Sequence, residues 1–407
     1  MNKNVGIALL AVGLSALFAR TAHAQWVQTK GPEGAIINAL AVSGNTIFAG
    51  TNEGVFLSTR NGTAWTPINS GLSSTYVQAL AVSGNAIFAG TDGGVFLSTN
   101  NGTTWTAINS GLPNNAVVYS LAVSGNKIFA GTYCGPFLST NNGTSWTAIN
   151  SGLANSTVLS LAVRGSTIFA GTESGAFQST NNGSSWTAIN SGLTNTYVRS
   201  LAVRGCAVFA GTWGGGVFLS TNNGTNWTTI NSGLTNTNVY SLAISGCTIF
   251  AGTYGGVFLS TDNGTSWTAV SSGLTNVAAS SLVVCGGTIF AVSDEVWYRP
   301  LSEMISATDS KPRQALPKQE IICMHAPSRA NPNAVIEFSL AHSDRVAVIL
   351  YDLSGHEIAS LFNNYFEPGT HRVSWNAGSN APGRYMVRIQ AGSDTYVKSV
   401  PITLLRR

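Results

Sequence analysis

The chain has 407 residues, only 9% of them charged, with 45 glycines and a formal net charge of +4. The length allows two or three domains, and so little charge beside so much Gly, Ser, Thr and Asn excludes both a helix-rich protein and a charge-rich disordered one. Between Gln25 and Pro300 seven Lys/Arg balance seven Asp/Glu, so no basic stripe exists to neutralise phosphates and nucleic acid is excluded as a partner.

The first element in chain order reads as an export signal over residues 1–24. Lys3 supplies the positive start, Val5 to Phe18 an apolar run, and Ala22-His23-Ala24 the small residues of a cleavage site. The run is shorter than the roughly 20 residues of a membrane span. Cleavage would leave a mature chain from Gln25 without a transmembrane segment, outside the cell or on its surface.

Residues 25–301 repeat. Phenylalanines recur at Phe48, Phe88, Phe129, Phe169, Phe209, Phe250 and Phe290, in steps of 40 or 41. Tryptophans keep the step at Trp65, Trp105, Trp146, Trp186, Trp227 and Trp267. A period near 40 with several short strands per unit predicts an all-β propeller. One unit parses as TVLSLAVRG, STIFAGT, GAFQST, an Asn-Gly turn and WTAINSG, four strands of about five to seven residues in an antiparallel meander. Seven units start near Ile36, Tyr76, Val117, Thr157, Tyr197, Asn238 and Ala278. The seventh lacks the tryptophan turn and is one strand short. The spare N-terminal piece QWVQTKG, with Trp26, is expected to supply that strand and close a seven-bladed ring.

The repeated turn reads Ser-x-Asn/Asp-x-Gly-x-x-Trp. It is carried by Ser98, Asn100, Gly102 and Trp105; Ser139, Asn141, Gly143 and Trp146; Ser179, Asn181, Gly183 and Trp186; Ser220, Asn222, Gly224 and Trp227; and Ser260, Asp262, Gly264 and Trp267. It resembles the Asp-box of the BNR repeat family of sialidase-like propellers. The resemblance implies a structural role: an acceptor side chain for nearby amides, a glycine for positive φ and a tryptophan buried between sheets. Arg60 stands where the first box has its acid, so that turn is expected to be less well held. The Asn-Gly-Thr/Ser triplets at Asn101, Asn142 and Asn182 match glycosylation acceptors, but hairpin turns account for them.

Residues 302–320 are polar, carry two prolines and lack periodicity, which predicts a linker. From Ile321 to Arg407 short alternating strands predict an Ig-like sandwich. Asn331-Pro332, Val346 through Gly355, Pro368-Gly369-Thr370-His371 and Gly383-Arg384-Tyr385 resemble the C-terminal sorting domain of the type IX secretion system. That resemblance implies export by the type IX machinery as a partner. The opening Ala326-Pro327-Ser328-Arg329 departs from the family's usual Tyr-Pro-Asn-Pro.

No histidine lies between Gln25 and Leu301, so the propeller holds no Ser-His-Asp triad, Cys-His pair or His metal cluster. No cofactor or metal is expected. His325, His342, His356 and His371 read as surface or structural. The sialidase arginine triad is missing, since only Arg199 falls at the mouth while Arg164 and Arg204 fall at the opposite face. Five cysteines follow the signal, an odd number, and Cys206 and Cys247 occupy one column of neighbouring units too far apart to bridge.

Two columns vary between units. One is the turn after FAGT: Asn52, Asp92, Tyr133, Glu173, Trp213 and Tyr254. The other opens the first strand: Asn38, Gln78, Tyr119, Leu159, Arg199, Tyr240 and Ser280, preceded by Ile36, Tyr76, Val117, Thr157, Tyr197 and Asn238. In a meander both lie at the same end of the strands. Aromatic, amide and charged residues around a ring suit a glycan or protein ligand, with Tyr76, Asp92, Tyr119, Tyr133, Glu173, Tyr197, Arg199, Trp213, Tyr240 and Tyr254 as candidate contacts. A non-enzymatic binding module is the expected function. The alternative is a glycoside hydrolase using Glu53, Asp92 or Glu173, which fall in turns of the mouth.

Overall fold

The computed structural model describes residues 25–59, 62–153, 156–205, 207–246, 248–276, 278–308, 323–325, 329–330, 333–340, 344–367, 369–376, 382–391 and 396–404. The signal segment, Arg60, Cys206, Cys247, His342, Asn331-Pro332 and Pro368 lie outside these residues.

Seven four-stranded sheets run from Gln25 to Pro300, six in sequence order and the seventh in the order N-terminal strand, then Val296–Pro300, Thr288–Val292 and Ser281–Cys285. Blade 4 is representative, with strands Val158–Arg164, Thr167–Thr172, Gly175–Ser179 and Thr187–Ala188. Its outermost strand has two residues rather than five to seven. The asparagine of the INSG stretch explains the shortening. In blade 2, Asn109 Oδ1 accepts from Val95 N at 2.7 Å and Asn109 Nδ2 donates to Gly93 O at 3.1 Å, replacing ladder bonds with side-chain ones.

The N-terminal piece closes the ring. Val27 pairs with Tyr298 and Gln28 with Trp297. At the seam with blade 1, Lys30 N donates to Gly62 O at 3.2 Å, and Cys285 Sγ donates to Gly44 O at 2.9 Å.

The apolar core lies between blades. Phe48 and Val55 of blade 1 pack with Ile87, Ala89, Phe96 and Trp105 of blade 2. Glycine in the second strand lets the next blade approach closely: a Cβ on Gly50 would stand 2.6 Å from Val77 Cγ1.

The repeated turn is built as its residues suggest. In blade 3, Ser139 Oγ donates to Asn141 Oδ1 and accepts from Gly143 N, each at 2.8 Å, while Asn141 Oδ1 accepts from Ser145 N at 2.9 Å. Asn142 and Gly143 both take positive φ, 55° and 89°. Trp146 is 4% exposed and donates Nε1–H to Ile108 O of blade 2 at 2.6 Å, so each box tryptophan of blades 2–6 fastens its blade to the preceding one.

Blade 7 lacks this turn. Arg299 takes the register of the box serine, is buried, and donates to Val270 O at 3.2 Å. The chain then turns into helix α1, Leu301–Thr308, so the expected linker does not start at 302. Leu301 and Met304, three apart, bury one helical face against Trp26, Val270 and Trp297, and no turn signal interrupts that face. Residues 309–322 lie outside the description. Beyond them the described strands form a three-stranded and a five-stranded sheet.

Candidate ligand-binding site

The first strand of each of blades 1–6 breaks register at one place. In blade 5 the pairing skips from Val198↔Thr212 to Ser200↔Gly211, leaving Arg199 unpaired. The skipped residues in the other five are Asn38, Gln78, Tyr119, Leu159 and Tyr240. A bulge releases one residue from the ladder and re-aims its side chain. Here the released residues are the varying column, and they converge. With Ser280 of blade 7 they line one cavity of about 770 Å3 at the mouth of the ring.

The second varying column meets the first through the backbone. The amides of Asn52, Asp92, Trp213 and Tyr254 donate to the carbonyls of Ile36, Tyr76, Tyr197 and Asn238 at 3.0–3.3 Å. Both columns therefore share one end of the blades, as the meander requires.

The candidates separate into groups. Tyr119, Arg199 and Tyr240 line the cavity. Trp213 joins them through ring contacts: its centroid is 5.2 Å from that of Tyr240, and the Arg199 guanidinium carbon sits 5.5 Å from Trp213 and 5.0 Å from Tyr240. Asp92 accepts from Gln78 Nε2 at 3.4 Å. Burial, with Asp92, Glu173 and Tyr197 as charged or ionisable neighbours, pushes the Tyr119 hydroxyl above the ordinary tyrosine range. Tyr76, just before its strand, and Tyr133 and Tyr254, on their turns, stay exposed and do not line the cavity.

Blade 5 is different from the rest. Its second-to-third turn, TWGGG, is one residue longer. Gly214 N and Gly216 N both donate to Thr237 O of blade 6, at 3.1 and 2.9 Å, and Trp213 bridges to Asn238. Asn195 Nδ2 donates to Trp213 O at 3.0 Å. Trp213 is thus braced on two blades, yet its residue remains 38% exposed.

Asp294 and Glu295 also line the cavity and are absent from the expected contacts. They occupy the turn column of blade 7, where Val292-Ser293 replaces Gly-Thr and hides the alignment. Glu295 Oε2 accepts from Gln28 Nε2 at 2.8 Å, so the closing strand contributes to the mouth.

The opposite face holds three further cations. Arg164 donates to Gly205 O and to Asn223 Oδ1 of blade 5; Arg204 donates to Gly246 O and Asn263 Oδ1 of blade 6; Lys127 donates to Asn182 Oδ1 of blade 4 at 2.9 Å. Each spans to the next blade's box turn. Among the described residues no cluster of three or more His, Cys, Asp or Glu could hold a metal, and no helix is long and apolar enough to cross a membrane. His356 pairs with Asp352 at 3.3 Å on the exposed surface, and His371 packs on Phe338 and Phe366.

Residues 12–127 match the family model of the DUF6242 beta propeller domain. No curated protein matches the sequence. Several solved propellers share the architecture. YCF48 bound to a D1 peptide is 16% identical with a TM-score of 0.56, over 68% of this chain and 96% of that one. PorZ, a bacterial surface component of the type IX secretion system of Porphyromonas gingivalis, is 15% identical with a TM-score of 0.52, over 93% of this chain and 61% of that one. An ancestral GH74 enzyme is 18% identical with a TM-score of 0.55, over 91% and 60%. The chain spans about three-fifths of the length of these last two. At such identities the fold is what is shared: the chain is an all-β protein built on a β-propeller.

Proposed function

We propose that the chain is an extracellular or cell-surface binding module whose ligand, a glycan or a protein segment, seats at the mouth of the propeller. The observation that carries this reading is the convergence of the bulged residues. Six blades release one ladder position each, those positions differ in chemistry while the surrounding repeat barely changes, and together they line one cavity. Concave sites with aromatic walls and a few polar groups are where ligands bind. YCF48, whose solved structure holds a D1 peptide, shares the propeller architecture. Export through the leader and a sorting domain of the type IX kind belongs to the same reading; PorZ, a surface component of that system, is similar in fold.

The full chain is passed over immobilised cellulose, xylan, mannan and a set of extended peptides. The reading expects retention that the double variant Tyr119→Ala/Tyr240→Ala abolishes without a change in melting temperature. Retention unaffected by that variant, or none on any probe, contradicts it.

A hydrolase reading is favoured by one observation: Asp294 and Glu295 line the cavity together, and GH74 enzymes are similar in fold. Reducing-sugar release by the parent chain, lost in Asp294→Asn or Glu295→Gln, would replace binding by catalysis.

A further inference from the structure

The cavity is a ring in outline but not in chemistry. Its blade 5–6 sector carries the one basic side chain that lines it, Arg199. The guanidinium is fixed by two rings standing at 71° to each other, Trp213 and Tyr240. Such stacking holds the plane of the group and leaves its N–H edge free. Among the described residues nothing accepts a hydrogen bond from Arg199 or forms an ion pair with it. The two carboxylates that line the cavity are engaged elsewhere: Glu295 accepts from Gln28, and Asp294 accepts from the Glu295 amide at 3.1 Å. A pre-set guanidinium without a partner matches a carboxylate, which it can grip through two parallel hydrogen bonds. Beside it stands a braced, exposed indole. Its face suits the C–H face of a pyranose ring, and its backbone bonds to blade 6 keep it in place before the ligand arrives.

We propose, building on the mouth as a binding site, that this sector recognises a carboxylated pyranose, a uronic acid unit borne by an otherwise neutral polysaccharide. The carboxylate lies on Arg199 and the sugar ring on Trp213. Asp294 and Glu295 elsewhere in the cavity oppose a densely charged polymer, so the unit sits on a sparsely substituted chain.

The full chain is run by affinity electrophoresis in gels containing glucuronoxylan, the same polymer with its carboxyl groups reduced to alcohols, or poly-glutamate. The expected result is affinity for glucuronoxylan at least tenfold above that for the reduced polymer. Arg199→Gln removes the difference between the two polymers. Arg199→Lys, which keeps the charge and loses the fork, falls between them, and melting temperatures identify any variant that has not folded. Equal affinity for the two polymers overturns the uronate, as does stronger Arg199-dependent binding of poly-glutamate or no retention by glucuronoxylan. If the reduced polymer binds equally well and Trp213→Ala abolishes both, the mouth remains the binding site and only the uronate falls.

Discussion

Trp26 Nε1 donates to Val270 O at 2.6 Å, and Trp26 N donates to Ser272 O at 3.1 Å. These are the bonds that Trp267 makes to Ile230 O and Ser232 O one blade earlier. A residue just before the first strand thus performs the last box tryptophan's task, with no box around it. The two are 244 positions apart in sequence, so the ring closes only when both ends of the propeller have been made.

Deleting residues 25–31 should therefore lower the melting temperature and expose the Val296–Pro300 edge. Trp26→Ala alone leaves a cavity beside Met304 and Trp297 and is expected to cost about 3–5 kcal/mol. Denaturant unfolding that matches the parent for both variants would refute the closure.

The box turn is a stability element. Ser139→Ala removes the acceptor of Gly143 N inside a fully buried site. A buried amide left unpaired costs about 1–3 kcal/mol. Unfolding by urea should register that loss, with affinity at the mouth unchanged.

Arginines on the two faces should behave oppositely. Arg164→Gln breaks the tether to Gly205 and Asn223, so it should lower stability modestly, about 1 kcal/mol, and leave binding intact. Arg199→Gln should leave stability intact and weaken binding. Calorimetric melting and ligand retention on the same two proteins separate the roles.

Cys134 and Cys285 are free thiols. Burial pushes the Cys285 thiol up from its ordinary value, so the thiolate forms at higher pH than in an unfolded chain. Alkylation of Cys285 should be slower in the native protein than in denaturant at pH 8, with its pH midpoint above the free-cysteine range. Equal rates would contradict the half-buried seam in which its Sγ–H meets Gly44 O.

Much of this architecture is legible in the residues, because each unit repeats the same landmarks. Phe48 to Phe290 count seven blades, and the missing seventh tryptophan points directly to Trp26. The outer strands misled because WTAINSG alternates like a long strand, while its asparagine diverts bonds to side chains such as Asn109 on Val95. Helix α1 was hidden in a largely polar stretch whose buried residues include Leu301 and Met304. At the mouth, variation between units singled out Tyr119, Arg199 and Tyr240, but the bulge that aims them exists only in strand pairing. Asp294 was missed because Val292 replaces the glycine that marks its column.

The most direct measurement is the affinity of Tyr119→Ala/Tyr240→Ala for whichever immobilised glycan or peptide retains the parent chain, beside that of Ser139→Ala. Each aromatic anchor at a binding site can be worth roughly 2 kcal/mol or more, so the mouth variant should lose at least a hundredfold in affinity with an unchanged melting temperature, while the box variant melts earlier and binds as the parent does. A mouth variant that binds like the parent, or a box variant that loses the ligand while still folded, would contradict the assignment of binding to the bulged face.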